Sequence, residues 1–176
     1  MLVVSTLIAL AQVASPPAAA PRAPREQPAP ASSCAAIVVS SPEAKTSARA
    51  QSLSATKILD LQLAALLRTR LQGEHTLDMR VYTPKGHLYQ VLTVPFSAAA
   101  AGAARTRLVE GYPQPLPEQA MTAVRHEGVR RYSVSARLPV AGTAIMTSSL
   151  YGRWRVDAHL DGALEACASK AFTLQP

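Results

Sequence analysis

The sequence predicts an all-β fold, an antiparallel β-sandwich of about seven strands. Three segments alternate apolar with polar residues at a period of two: Thr76–Tyr82, Val129–Val140 and Leu150–Leu160. That period is typical of a strand with one face in a core and the other in water. Turn residues follow two of them, at Thr83–Gly86 and at Asp161–Gly162. Alternating segments joined by such turns indicate hairpins.

The segment Leu150–Leu160 carries the clearest alternation in the chain. One set of side chains is apolar and the other is charged or titratable. We therefore expect a strand that places its tryptophan in the core, followed by a turn. The apolar set is Trp154, Val156, Ala158 and Leu160, and the other set is Arg153, Arg155, Asp157 and His159.

The most secure hairpin is predicted over Thr76–Phe96. Leu77, Met79 and Val81 point to the core in its first strand. Thr83-Pro-Lys-Gly86 has proline at the second turn position and glycine at the fourth, as a type I turn prefers. His87–Phe96 is the returning strand.

The segment Ile58–Leu71 fits two interpretations. A strand explains five alternating apolar residues, whereas a helix explains four that share a helical stripe. We favour the strand, and a helix here would change the class to α+β. The alternating set is Leu59, Leu61, Leu63, Ala65 and Leu67, and the helical set is Leu59, Leu63, Leu66 and Leu67.

The remaining elements are shorter. Cys34–Val39 is predicted as the first strand and Cys167–Leu174 as the last, with a short extended piece at Thr143–Thr147. Ser97–Gly128 is predicted as one long connection. A connection of that length inside a domain is either a functional excursion or contains a short helix, here at Glu118–His126.

The domain organisation follows from composition. Residues 1–20 contain an apolar run of signal-peptide length, although no Lys or Arg precedes it. Residues 21–33 are rich in proline and alanine and are predicted to be an extended linker. Residues 34–176 form the sandwich. We expect export to the periplasm or beyond the cell, with no transmembrane helix left after signal cleavage.

Two cysteines, Cys34 and Cys167, lie near the two ends of the predicted domain. In an exported protein the simplest inference is one disulfide between them. It would close a long loop and contribute roughly 4–5 kcal/mol to stability. The alternative for Cys34 is lipidation, since Ala31-Ser-Ser-Cys34 loosely matches a lipoprotein cleavage box.

The net charge of +7 comes from an arginine-rich set of cations. A basic surface favours polyanions, so a polyanion-binding module is one alternative function. The chain has two Phe, five Tyr and one Trp, fewer aromatics than stacking on bases requires, which argues against nucleic acid as the partner.

No sequence motif for a nucleophile elbow, nucleotide loop or zinc site occurs, and no cofactor or metal ligand set is predicted. Asp157, His159 and Asp161 are each two residues apart, so they are expected to share one solvent-facing side of a strand. This spacing supports an alternative, a small secreted enzyme that uses these residues and the 97–128 loop.

The candidate interaction surface combines aromatic and arginine residues. Tyr82 and Tyr89 flank the predicted Pro84–Gly86 turn, and tyrosine beside arginine is typical of protein interfaces. The competing interpretation is packing within the hairpin. The arginines of this surface are Arg130, Arg131, Arg153 and Arg155.

Three motifs resemble bacterial immunoglobulin-like or macroglobulin-like β-sandwich domains over residues 58–174. They are Val81-Tyr-Thr-Pro-Lys-Gly-His-Leu-Tyr89, Leu138-Pro-Val-Ala-Gly-Thr143, and Gly152-Arg-Trp-Arg-Val156 with Leu160-Asp-Gly162. The cysteines depart from the antibody pattern, because they lie at the domain ends rather than on strands that flank the tryptophan.

The resemblance implies an immunoglobulin-like sandwich that presents loops or a strand edge to a partner. The function expected from the sequence is therefore non-catalytic. We expect an exported interaction module that recognises a protein or a cell-envelope component.

Overall fold

The structure, a computed structural model, describes residues 33–43, 52–98 and 105–176. The predicted signal segment 1–20 and residues 21–32 of the linker lie outside the described residues. In the described ranges, no helix has the length and apolar character needed to cross a membrane.

The described residues form eleven strands and two short helical turns. The helical turns are a 3₁₀ turn at Ala55–Lys57 and the helix α1 at Ala144–Thr147. The strands are β1 Cys34–Ser40, β2 Ser52–Ser54, β3 Asp60–Leu67, β4 Glu74–Tyr82, β5 Leu88–Ser97, β6 Arg105–Arg107, β7 Leu116–Ala120, β8 Thr122–His126, β9 Val129–Pro139, β10 Gly152–Leu160 and β11 Ala168–Gln175.

The strands form two sheets. The four-stranded sheet has the order β1-β3-β9-β8 and is antiparallel throughout. The seven-stranded sheet has the order β2-β11-β10-β4-β5-β7-β6. It is mainly antiparallel, but β2 runs parallel to β11 and β7 runs parallel to β5. The chain thus leaves the edge of one sheet after β1 and joins the edge of the other at β2.

The two sheets share one hydrophobic core. Alternate residues of β3, β4, β9 and β10 enter it, so the predicted period-two pattern is confirmed in these strands. Core residues come from both layers, which is the arrangement of a β-sandwich. Those in the four-stranded sheet include Leu61, Leu63, Val134 and Leu138, and those in the seven-stranded sheet include Leu77, Met79, Val81, Trp154 and Val156.

The strand interpretation of 58–71 is confirmed by β3, whereas the inward position of Leu59 is wrong. Leu59 precedes β3 and its side chain is 62% exposed. Its backbone carbonyl accepts hydrogen bonds from the N–H groups of Val140 and Ala141, at 2.8 and 3.1 Å. These bonds hold the residue at the rim of the sandwich, outside the alternating ladder.

Two short elements differ from the prediction. The span 97–128 is not one connection, because it contains the end of β5 and the strands β6, β7 and β8. The helix expected at 118–126 is absent, and the strands β7 and β8 cover most of that segment. Residues 144–147 form a helical turn rather than an extended piece. Thr143 caps this turn, because its Oγ1 accepts from the Ile145 N–H, and the buried Ile145 side chain anchors it.

Trp154 lies at the centre of the core with none of its surface exposed. Its ring packs edge-on against Tyr89, with centroids 5.2 Å apart, and stacks with Phe172 at 6.4 Å. The indole Nε1–H donates to the Leu150 carbonyl at 2.9 Å. A buried indole needs such an acceptor. Trp154 therefore packs β10 against β5 and β11, and its hydrogen bond fixes the backbone at Leu150, just before β10.

The predicted disulfide between Cys34 and Cys167 is present, with Cα atoms 5.3 Å apart. Cys34 begins β1 in the four-stranded sheet, and Cys167 directly precedes β11 in the seven-stranded sheet. The bond therefore links the two layers across 133 positions of sequence.

Replacing Trp154 with phenylalanine should lower the free energy of unfolding by about 1–3 kcal/mol. The change removes the donor to Leu150 and leaves a void beside Phe172. Urea unfolding followed by circular dichroism would measure it. A cost below about 0.5 kcal/mol would contradict the central role of the indole.

Reduction of the disulfide should lower the unfolding free energy by about 3–5 kcal/mol, because the unfolded chain regains the entropy of a long open loop. Urea titrations with and without reductant would measure the loss. The double variant Cys34→Ser with Cys167→Ser serves as the control and should not respond to reductant. An unchanged midpoint for the reduced natural chain would contradict the prediction.

Candidate functional site

The predicted surface residues Tyr82 and Arg155 lie together on the outer face of the seven-stranded sheet. The Arg155 guanidinium sits 4.3 Å from the centre of the Tyr82 ring. Its Nε also lies 3.2 Å from Asp157 Oδ2, and the Ser169 hydroxyl donates to Asp157 Oδ1 at 2.6 Å. These contacts tie three neighbouring strands together across their solvent face.

The other predicted surface residues are distributed over both sheets. Tyr89 turns its ring toward Trp154, on the core side of β5. Arg130 lies over the ring of Tyr132 within β9, 5.6 Å from its centre. Arg153 is exposed on β10, whereas Arg131 on β9 lines a groove described below. The six residues do not meet at one place.

The expected solvent-facing group of Asp157, His159 and Asp161 does not form. His159 is only 4% exposed, and its Nδ1 lies 3.0 Å from the Ala163 carbonyl. Asp161 instead accepts from the Thr76 N–H at 2.9 Å and contacts His75 Nδ1 at 2.8 Å. Each of these side chains contacts a different partner, so their contacts stabilise the local structure and the three do not form one group.

A groove lies between β1 and β11. Its volume is about 980 Å³, and we call it the β1–β11 groove. Its walls are the consecutive residues Cys34–Val39 and Cys167–Phe172, together with Arg68, His126, Glu127, Val129 and Arg131. Successive side chains of a strand point to opposite faces. Consecutive lining residues therefore mean that the backbone edge of each strand forms the wall.

Both strand edges are open over part of their length among the described residues, at Ala35–Ser40 in β1 and at Ala168–Phe172 in β11. β1 pairs with β3 alone, and β11 pairs with β2 only over Thr173–Gln175. The part of β11 at Ala168–Phe172 therefore has β10 on one side and the groove on the other. Open edges present unpaired N–H and C=O groups, which are templates for another strand.

The charges around the β1–β11 groove are mainly positive. Among the described residues, Arg68, Arg131 and Lys170 line it, together with one carboxylate, that of Glu127. Lys170 is in register with the fully buried Val156, so it occupies an inward-facing position of β11 at the mouth between the sheets. Sequence reasoning missed Lys170. The available signal was a lysine in phase with the apolar residues Ala168 and Phe172.

A second groove, of about 600 Å³, lies between β5 and β9 on the opposite side of the sandwich. Its walls include the consecutive residues Val91–Val94 and Ser135–Arg137. Here the side chain of Gln119 takes the place of a strand. Its Nε2 donates to the Ser135 carbonyl at 2.8 Å, and its Oε1 accepts from the Ser135 N–H at 3.4 Å.

The remaining edges of the described sheets carry charges or are short. β6 has Arg105 and Arg107, and β8 has Arg125 beside His126. β2 has three residues. Charged and short edge strands oppose pairing with another chain. β1 and β5 carry no charged residue. Since Gln119 already closes part of the β5–β9 groove, β1 is the best candidate edge for a partner.

No protein-family profile, curated protein or solved structure matches this chain. Within residues 33–43, 52–98 and 105–176, no three His, Cys, Asp or Glu side chains converge to hold a metal ion. The candidate site is therefore described by its own geometry, an uncharged strand edge beside cationic side chains.

Replacing Gln119 with alanine should destabilise the protein by about 1–2 kcal/mol, because both backbone groups of Ser135 lose their partner. Hydrogen exchange at the Ser135 amide should accelerate at the same time. Gln119→Glu is the matched control, since a carboxylate keeps the acceptor but removes the donor. Equal exchange rates in the natural chain and the alanine variant would show that Gln119 does not protect this edge.

Proposed function

We propose that this chain is an exported immunoglobulin-like module that binds a protein partner through the open edge of β1. The order of the strands supports the fold assignment. Immunoglobulin sandwiches place strands A, B, E and D in one sheet and G, F and C, with C′ in variable-type domains, in the other. β1-β3-β9-β8 and β11-β10-β4-β5 follow that order.

The corner before β10 gives a second argument for this assignment. Many immunoglobulin domains place a tyrosine near the start of strand F, and its hydroxyl donates to the backbone a few residues upstream. Trp154 occupies the equivalent place in β10 and donates to Leu150, four residues earlier. The disulfide departs from the antibody pattern, because it joins the first and last main strands.

Export is supported by the disulfide and by the N-terminal sequence. Disulfides persist in oxidising compartments such as the periplasm and the extracellular space. The apolar segment within residues 1–20 has the composition of a signal sequence, and residues 21–33 have that of an extended linker. Such a linker would hold the domain away from its attachment point.

The observation that carries the binding function is the uncharged edge of β1 along the β1–β11 groove. An extended segment that pairs with an open edge gains main-chain hydrogen bonds, and the adjoining pockets select its side chains. We propose that a segment of a protein at the cell envelope binds in this way. The proposed activity needs no chemical step.

Site-specific photo-crosslinking in the native host tests this function. A benzoylphenylalanine at the position of Val38, on β1, should form an adduct with one defined protein. The same group at Leu164, which is 91% exposed in the turn after β10, is the control. Adducts of equal yield at both positions, or no adduct at Val38, would contradict binding at the β1 edge.

A further inference from the structure

We infer that the segment bound by β1 is an extended acidic strand with carboxylates on both of its faces. This inference rests on the proposed function and specifies the chemistry of the partner. It depends on two cations that line the β1–β11 groove: Lys170, on β11, and Arg131, on β9 at the Cys34 end of the groove.

The length of the edge defines the length of the ligand. Six consecutive β1 residues, Cys34–Val39, line the groove. At about 3.3 Å per residue, a paired segment of six or seven residues covers this edge over roughly 20 Å. The facing wall at Cys167–Phe172 has the same length, and the disulfide closes the groove at its Cys34 end.

One face of such a segment would meet Lys170. The inward register of Lys170 beside Val156 places its side chain at the mouth of the core, next to Phe172. Ile37 and Val39 of β1 are buried on this same side. A carboxylate on the inner face of the ligand would therefore meet one cation within largely apolar surroundings, where a charge pair is stronger than in water.

The other face would meet Arg131. Arg131 is out of phase with the buried Val134, so it lies on the outer face of the four-stranded sheet. Val38 is out of phase with the buried Ile37 and points to this outer face too. Arg131 lines the groove at its Cys34 end, and among the described residues the carboxylate of Glu127 is the only anionic group that lines it. A ligand with acidic residues only on one face would leave one cation without a partner.

Lys170 also protects the edge when no ligand is bound. A charge that points inward at a strand edge opposes pairing with an arbitrary chain, because the charge would have to be desolvated. A ligand carboxylate would remove that cost. The same side chain would thus exclude neutral and basic strands and admit acidic ones.

The test uses synthetic peptides and the full oxidised chain. The acidic peptide is Thr-Val-Glu-Val-Thr-Glu-Thr, whose two carboxylates fall on opposite faces of a strand. The control peptide has lysine at both glutamate positions. A third peptide is the acidic one with an N-methyl group on every backbone amide, which has no N–H group left to donate to a strand edge on either side. Chemical shifts and hydrogen exchange of the backbone amides would report where each peptide binds and how tightly.

We expect the acidic peptide to shift and protect the amides of β1 and of residues 168–172, and to bind at least tenfold more tightly than the lysine peptide. The N-methylated peptide should not bind. Lys170→Glu and Arg131→Glu should each weaken binding of the acidic peptide by roughly fivefold or more. Lys85→Glu, in the turn between β4 and β5, changes the net charge equally and should leave binding unchanged.

The outcomes separate this inference from the proposed function. If the lysine peptide protects β1 as well as the acidic one does, the acidic-strand inference is wrong while edge binding stands. If no peptide protects β1 and the crosslink at Val38 also fails, both are wrong. Failure of the acidic peptide to shift the β1 amides overturns the inference whatever the other peptides do.

Discussion

The bond between Cys34 and Cys167 is the constraint on which both the fold and the candidate site depend. It joins the first strand of the four-stranded sheet to the start of the last strand of the seven-stranded sheet. Two layers that share one core can slide or open at their sides, since packing alone is not directional. The covalent link keeps β1 beside β11. The groove between their edges therefore keeps a defined width at one end.

The edge strands of the two sheets are protected against pairing with another chain in different ways. Arginine occupies β6 and β8, and a glutamine side chain substitutes for a strand at Ser135. β1 contains no charged residue and has three consecutive β-branched residues, Ile37, Val38 and Val39, a residue type that favours strands. We infer that Lys170, on the other side of the groove, opposes the pairing of β1 with an arbitrary strand. A ligand whose carboxylate pairs with the ammonium group of Lys170 would remove the desolvation cost that opposes pairing at the β1 edge.

The sequence predicted the strands in which the alternation of apolar and polar residues continues over enough residues to be recognised. β4, β9 and β10 each repeat the alternation over nine or more residues, so their core faces were predictable. β6, β7 and β8 have three to five residues, too few for an alternation to stand out from chance. Their pairing is set by contacts with β5 and β9 instead. The cysteines predicted the disulfide because there are only two of them.

The candidate site was harder to predict from sequence, and the reason is geometric. The inward position of Lys170 has meaning only once its partner Val156 is known, and the groove exists only when β1 and β11 lie side by side. His159 shows the opposite case. The local alternation placed it in water, yet its Nδ1 contact with Ala163 and its burial come from the turn after the strand. Neither relation is visible in the alternation of a single strand.

The position of the disulfide also determines how the domain would respond to mechanical load. A pull on the residues before Cys34 would reach the domain at the first residue of β1, and without the cross-link it would separate β1 from β3 one residue at a time. With the cross-link, tension between the two ends of the chain passes from Cys34 through sulfur to Cys167 and then along β11. The 133 positions of sequence between the cysteines are bypassed, so the load would fall on β11, which follows Cys167, and not on β1 to β10.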